Sequence, residues 1–521
     1  MRRGVVIAGL VVATGLALEH GQFVRAETES KEGGQAVRAP IGEGRKLAEQ
    51  VCASCHMFPE PELADRFTWA NGILPRMSYW LGYDTVSWTN EPGGEQVLAS
   101  GKVPKEPVVD LAGLKRIHNY YLSSAPLKPL PQQSKPELKP ELKHFRVRRS
   151  SYRKGQAATT MVKIDERSKM IYVADAGTKK LVTLKSDGTL GGSWDMPGPI
   201  VHLLERMDGF YATQIGSVLP SDVAEGGVVR LLRAGDSAPY QNLLTGLRRP
   251  VECAAADLNA DGREDLVVAN FGNILGYFSW YETKADRSYE EHLLLERPGA
   301  VGVKVHDFDK DARPDIVVAM AQAQEGISLF LNRGEGRFEE RIVTQKHPAW
   351  GFSHLELADF NQDGEMDLLV TNGDNGDNVL FPNCVKPYHG VRLYLNKGRG
   401  EFTEAWFYPL HGAYRAIARD FDLDGDTDIA AISFFPDYWE GSKESFVYLE
   451  CQGGMKFTAS TFVQSIAGRW ITMDAGDLDG DGDADIALGA SNRSFGDVPK
   501  ALSASWQESG PSVLLLENTI R

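Results

Sequence analysis

Asp257-Leu-Asn259-Ala-Asp261-Gly-Arg-Glu-Asp265, running on into Leu-Val-Val-Ala-Asn270, is the stretch whose reading decides the fold. Its oxygen-bearing side chains stand at offsets 0, 2, 4 and 8. The same spacing returns at Asp307/Asp309/Asp311/Asp315, Asp359/Asn361/Asp363/Asp367, Asp420/Asp422/Asp424/Asp428 and Asp477/Asp479/Asp481/Asp485. In a tight turn alternate side chains converge on one point, and clustered carboxylates repel unless a hard cation lies between them. One Asp-Gly loop would say little, because such loops are common turns; repetition at one spacing predicts about five Ca2+ ions. Five would bring the formal charge from -15 to -5.

An apolar strand follows each loop (DLVVANFG, DIVVAMAQ, DLLVTNG, DIAAIS, DIALGAS), and a hairpin follows further on, as in Leu329 to Phe338 and again Tyr394 to Phe402. The pattern is a four-stranded unit with the metal loop between its first two strands. First aspartates lie 50, 52, 61 and 57 residues apart, so the chain from Gly155 onward holds between six and seven units. Seven blades are expected, two of them without the motif, over Thr159 to Met196 and Gly198 to Gly246. A ring of such units is an all-β propeller, which removes long exposed sheet edges. The last unit runs out of chain after its third strand, Val513 to Asn518. His144-Phe145-Arg146-Val147-Arg148-Arg149 is expected to supply the fourth strand and close the ring.

Upstream stands Cys52-Ala53-Ser54-Cys55-His56, which reads as a haem attachment site: two thiols add to the vinyl groups of one porphyrin and the adjoining imidazole becomes the proximal iron ligand. A thioredoxin-like pair or half of a zinc site are the alternatives; neither accounts for His56, and no second CxxC exists. The sixth ligand must come from the opposite face, which excludes Met57. Met77 is the candidate, held by Pro75 on an extended loop, with His118 a lesser option or a helix-surface histidine. Helical spacing over Gly42 to Cys55 and over Asp110 to Leu122, the latter with Leu111, Leu114, Ile117 and Tyr121 on one face and Asp110 as N-cap, predicts two crossing helices. The expected fold is therefore a small all-α cytochrome c domain (40–126) followed by an all-β propeller (143–521), seven-bladed. A proline-rich linker (127–142) favouring semi-rigid polyproline conformation joins them.

Residues 1–26 read as a secretory signal, with Arg2 and Arg3, an apolar run and a small-residue end at Val24-Arg25-Ala26. The expected destination is the periplasm or extracellular space of a bacterium, with no stable membrane span after cleavage. A net charge of -15 argues against nucleic acid as a partner. A basic cluster at Lys143, Arg146, Arg148, Arg149, Arg153 and Lys154 reads as a solvated strand edge or a docking patch for an acidic partner. Cys253, Cys384 and Cys451 leave room for one disulfide.

With CASCHMFPEPELAD, ILPRMSYWLG and the five aspartate loops in view, the chain resembles bacterial secreted proteins with FG-GAP or VCBS-type calcium-binding propeller repeats, here preceded by a cytochrome c domain. The resemblance covers nearly all of the mature chain. It implies one covalent haem c at Cys52, Cys55, His56 and Met77 and calcium at the matching loop positions, and it implies no substrate. Ala312 departs from the pattern, standing beside Pro314 where the other loops have glycine; a backbone needing positive φ there would weaken that loop.

The first strand of each blade lines the central channel. Counting five residues back from each first aspartate gives Glu252, Gly302, His354, Arg415 and Thr472, with His202 near the equivalent place. These are candidate catalytic or binding groups, although any propeller channel tolerates polar residues. Three functions are consistent with this chain. The first is an electron-transfer protein that uses a redox partner while the propeller binds a partner or ligand. The second is a dehydrogenase oxidising a small molecule in the propeller, with haem as acceptor. The third is an adhesion or carbohydrate-binding module with an accessory haem. The chain lacks a glycine-rich nucleotide fingerprint and a nucleophile elbow, which leaves flavin, nicotinamide and serine-hydrolase chemistry without support, while a quinone cofactor stays open.

Overall fold

Each aspartate loop is followed by six residues that start with its last aspartate and are buried throughout: Asp265–Asn270, Asp315–Met320, Asp367–Asn372, Asp428–Ser433 and Asp485–Ala490. A strand apolar on both faces needs cover on both faces, and in this structure neighbouring blades provide it. The computed structural model describes residues 41–83, 89–207, 209–232, 239–376, 385–439, 443–492 and 498–521. The expected signal segment and Cys384 lie outside them.

Seven antiparallel sheets form the seven blades of a β-propeller. Their inner strands are Thr159–Asp165, Ile200–Arg206, Pro250–Ala256, Ala300–His306, Phe352–Ala358, Ala413–Arg419 and Trp470–Gly476. Closure follows the sequence expectation. Phe145–Arg149 pairs antiparallel with Val513–Asn518, in register from Phe145 opposite Asn518 to Arg149 opposite Leu514. Packing between blades is aromatic and aliphatic, as where Phe421 and Tyr448 meet Phe145 in a cluster that extends through Leu516 to Trp470. The residue after each first aspartate (Leu258, Phe308, Phe360, Phe421, Leu478) is buried and anchors its loop to this packing.

The N-terminal region carries helices. α1 (Ile41–Cys52) is followed by a helical run that passes through Arg66–Thr68 and a π-turn at Trp69–Ile73 into α2 (Leu74–Trp80); then come α3 (Gly94–Ser100) and α4 (Leu111–Ser124). Asp110 caps α4, its Oδ1 accepting from the Gly113 N–H at 2.7 Å. α1 and α4 pack where Gly44 lets them approach: a Cβ there would lie 2.7 Å from Arg116 O. Trp69 stacks on Tyr121 and donates to Pro61 O, tying the middle run to this pair.

Several expectations need correction. Pro75 is the second residue of α2 and follows directly on the π-turn, inside a continuous helical run, so Met77 stands on a helix and not on an extended loop. Leu111 is 55% exposed while Tyr120 takes its place inside, and His118 is half-buried rather than on the surface. The linker is not a bare spacer. Leu138–Lys139 adds a fifth, parallel strand to the sixth blade, and Lys135 pairs with Glu444 at 2.5 Å. Within the basic cluster, Arg146 and Arg148 pair with Glu517, and Arg153 donates to Gln507 O, Glu508 O and Gly510 O at the end of a further helix, α5 (Lys500–Ser509). Cationic donors at a helix C-terminus satisfy its free carbonyls, so these positions hold the ring together. Cys253 and Cys451 are free thiols in different blades. No helix among the described residues is long and apolar enough to cross a membrane.

Candidate functional sites on the propeller and its helical cap

The helical region sits on the propeller face opposite the aspartate loops, against turns that join second to third strands and one blade to the next. Tyr388 Oη donates to Leu63 O at 3.2 Å, the Asp222 N–H donates to Pro92 O at 3.1 Å, and Val97 and Val103 pack on Ile274. The predicted attachment residues lie at this junction. Cys52 ends α1 half-buried, Cys55 is exposed in the following turn, and both are free thiols. His56 Nδ1 is 2.7 Å from Met57 O; the proton on Nδ1 leaves the Nε2 lone pair for a metal. Burial pushes the His56 pKa down, against the hydrogen bond to Met57 O, and so favours the neutral ring that a metal needs. This donor set fits a covalently held haem. The His56 ring meets His347 of the propeller edge to face, with centroids 5.4 Å apart. His347 is pushed down to about 3 by burial, then by His56 and Lys386. Sequence reasoning missed His347, which lies in an irregular connection before the fifth inner strand and carries no local pattern. Met77 is half-buried on α2.

In the loops, the first three positions converge. Ligand oxygens of Asp307, Asp309 and Asp311 lie within 4.8 Å of one another, as do those of Asp420, Asp422 and Asp424 and of Asp477, Asp479 and Asp481. Asn259 and Asn361 occupy the middle position of the other two loops, where Asp257 with Asp261 and Asp359 with Asp363 flank them. The fourth aspartate has a second task that spacing did not reveal. Asp315 Oδ2 accepts from the Phe308 N–H at 2.9 Å and Oδ1 from the Asn332 N–H at 2.8 Å, fastening loop to third strand. Asp265, Asp367, Asp428 and Asp485 repeat the arrangement. Burial first, then neighbouring carboxylates, raise their pKa values, to about 6 for Asp315 and Asp367 and about 7 for Asp428 and Asp485. A cation would remove that penalty.

Along the channel, every inner strand carries a bulge at its second residue: Thr160, Val201, Val251, Val301, Ser353, Tyr414 and Ile471. The residue after the bulge is thus equivalent in all blades. The ring so formed is Met161, His202, Glu252, Gly302, His354, Arg415 and Thr472, so all six sequence candidates come together. Lys163, Lys304, Glu356 and Asp474, two residues further along, were not foreseen. An inner strand is a sheet edge with unpaired N–H groups, and acidic side chains of one blade cap those of the next. Glu252 Oε2 accepts from the Val303 N–H at 3.0 Å, and Asp474 Oδ2 from the Ile164 N–H at 2.8 Å. Burial would raise the Glu252 pKa, yet Lys304, His202 and the Val303 N–H hold it below the usual range. His202 is pushed down to about 4 by burial, against the pull of Glu252, with Lys304, Arg415 and Lys163 adding to the depression.

A family model described as FG-GAP-like repeat matches residues 257–318, 307–370 and 420–488, stretches that contain all five aspartate loops. The chain thus carries FG-GAP-like repeats within a seven-bladed propeller. No curated protein matches it. Among solved structures, a streptogramin B lyase is 11% identical, with 72% of this chain and 98% of that one covered and a TM-score of 0.45. A luciferin-regenerating enzyme is 12% identical, with 56% and 88% covered and a TM-score of 0.35.

Proposed function

We propose that this chain is an exported bacterial c-type cytochrome, with one haem held by Cys52 and Cys55, fused to a calcium-binding propeller and acting in electron transfer in the periplasm or outside the cell. The observation that carries this reading is the contact of His56 with His347: a haem ligated by His56 would lie where the helical region meets the propeller face. Haem, when bound, takes up and releases one electron. The protein's own residues do the rest. Met57 O fixes the His56 tautomer, Cys52 and Cys55 would hold the porphyrin covalently, Met77 would offer a thioether ligand, and His347 of the propeller covers one edge of the His56 ring.

The test is expression with c-type haem maturation. One haem per chain that survives denaturation, is absent from Cys52→Ala, and is oxidised by a partner c-type cytochrome after reduction is the expected result; a haem-free wild-type chain would remove the proposal. Met77→Ala should lose the near-infrared sulfur-to-iron band and lower the potential, since a thioether favours the ferrous state. Retention of both would reject Met77 as the ligand.

One observation favours a second reading, a dehydrogenase with haem as acceptor: the channel ring contains titratable groups that the fold does not use. Anaerobic mixing of the oxidised protein with sugars, alcohols and amines would separate the two readings, because only a dehydrogenase reduces its haem on substrate addition.

A further inference from the structure

The acidic members of the channel are accounted for by the fold, since Glu252, Asp474 and Glu356 cap neighbouring strands and pair with Lys304, Lys163 and Arg419. Two members of the ring are not. His354 is only 7% exposed, and its Nδ1 has no hydrogen-bond partner. The Arg415 Nε is likewise buried without a partner, and among the described residues its guanidinium meets no carboxylate. Both belong to the ring fixed by the bulge that recurs at the same place in every blade, and Gly302, next in the ring beside His354, adds no side chain of its own. A buried, unpartnered imidazole beside an unneutralised, partly exposed guanidinium leaves hydrogen-bonding capacity that a ligand would take up. Burial, then Arg415, Lys304 and His202, depress the His354 pKa, while the carboxylates nearby, Glu252 and Glu356, are already paired with Lys304 and Arg419.

We propose that His354 and Arg415 bind a small carboxylate anion in the propeller channel. The guanidinium fork matches the two oxygens of a carboxylate, and the neutral imidazole donates one further hydrogen bond through Nδ1. Charge counting separates this class from doubly charged oxoanions. One free guanidinium balances one negative charge, and Lys304, the other fixed cation that acts on His354, is already neutralised by Glu252. The site concerns neither the haem residues nor the aspartate loops, so it stands or falls apart from the proposed electron transfer.

Isothermal titration of the full chain, at fixed calcium concentration, with acetate, lactate and inorganic phosphate is the test. Saturable binding of acetate or lactate, with weaker or no binding of phosphate, is expected. Arg415→Gln should weaken carboxylate binding by about tenfold or more, as loss of a charged hydrogen-bonding partner does. Arg415→Lys, which keeps the charge but not the fork, should fall between the two and serves in its place should the glutamine variant fail to fold. His354→Phe should also weaken binding. Absence of saturable carboxylate binding, tighter binding of phosphate, or an affinity unchanged by either Arg415 substitution would overturn the proposal.

Discussion

Ala312 has φ +67°, in the left-handed region, where the equivalent Gly262, Gly364, Gly425 and Gly482 have φ between +81° and +97°. A Cβ at Gly262, Gly364 or Gly425 would touch nothing, so the penalty at Ala312 lies in its backbone alone. Ala312→Gly should therefore stabilise the propeller by about 1 kcal/mol, the cost of a left-handed alanine less the extra freedom of glycine in the unfolded chain. Chemical denaturation of the two chains checks this; a less stable variant would show that the conformation is not strained. The sequence made this position legible because four of five loops hold glycine there. It did not make legible the second left-handed residue two places earlier, occupied by Ala260, Lys310, Gln362, Leu423 and Gly480, with φ of +57° to +63° at the four that are not glycine. No residue type marks it, because the turn, not local preference, imposes the conformation.

At the scale of the element, the aspartate loop is a metal cradle tied to a strut, and the two tasks separate experimentally. Asp315→Ala would leave the Phe308 and Asn332 N–H groups buried without acceptors, at about 1–3 kcal/mol each. The loss should persist in chelator, whereas Asp309→Ala, which besides the metal gives up only a partly exposed pairing with Arg333, should cost much more with calcium than in chelator. Equal losses for the two variants in chelator would reject the strut. Chelation of the wild type should lower its melting temperature, since each occupied site adds about 2.7 kcal/mol when free calcium is about a hundredfold above Kd; a transition unmoved after verified metal removal would reject calcium in the loops. Strands were legible where burial on both faces made them continuously apolar after each loop. The shared bulge was not, because Val, Ser, Tyr, Thr and Ile all occupy it and the channel, not the side chain, dictates it. The segment around Met77 escapes for a different reason: a proline ordinarily signals a loop, whereas here a π-turn stands immediately before it within a helical run. The linker strand escaped because Leu138–Lys139 pairs with a partner more than three hundred residues away.

At the scale of the molecule, the ring is shut by its two ends, and the missing fourth strand of the last blade was the clue in the sequence. The seal has an apolar part and a charged part. Phe145 packs edge-on against Phe421 and Tyr448, with centroids 5.8 and 5.6 Å away, while Glu517 receives both Arg146 and Arg148. Phe145→Ala should then cost about 3–5 kcal/mol, the usual range for a buried phenylalanine, and deleting 143–150 should destabilise the propeller with all five loops intact. The charged part gives the seal a pH dependence of known sign. Partial burial would raise the Glu517 pKa, but the hydrogen bonds from Arg146 and Arg148 outweigh it and the folded value lies below that of the unfolded chain. A carboxylate with a depressed folded pKa stabilises above its unfolded value, and the contribution is lost as pH falls through the folded value. Glu517→Gln should therefore melt below the wild type at neutral pH, and the gap should close as the pH falls below the usual glutamate range. Arg146 is largely exposed, so salt should narrow the gap at neutral pH as well. If the gap is the same at neutral and acid pH, the arginines do not act through the Glu517 charge; if the deleted chain melts as the wild type and stays monomeric, the two chain ends do not close the ring.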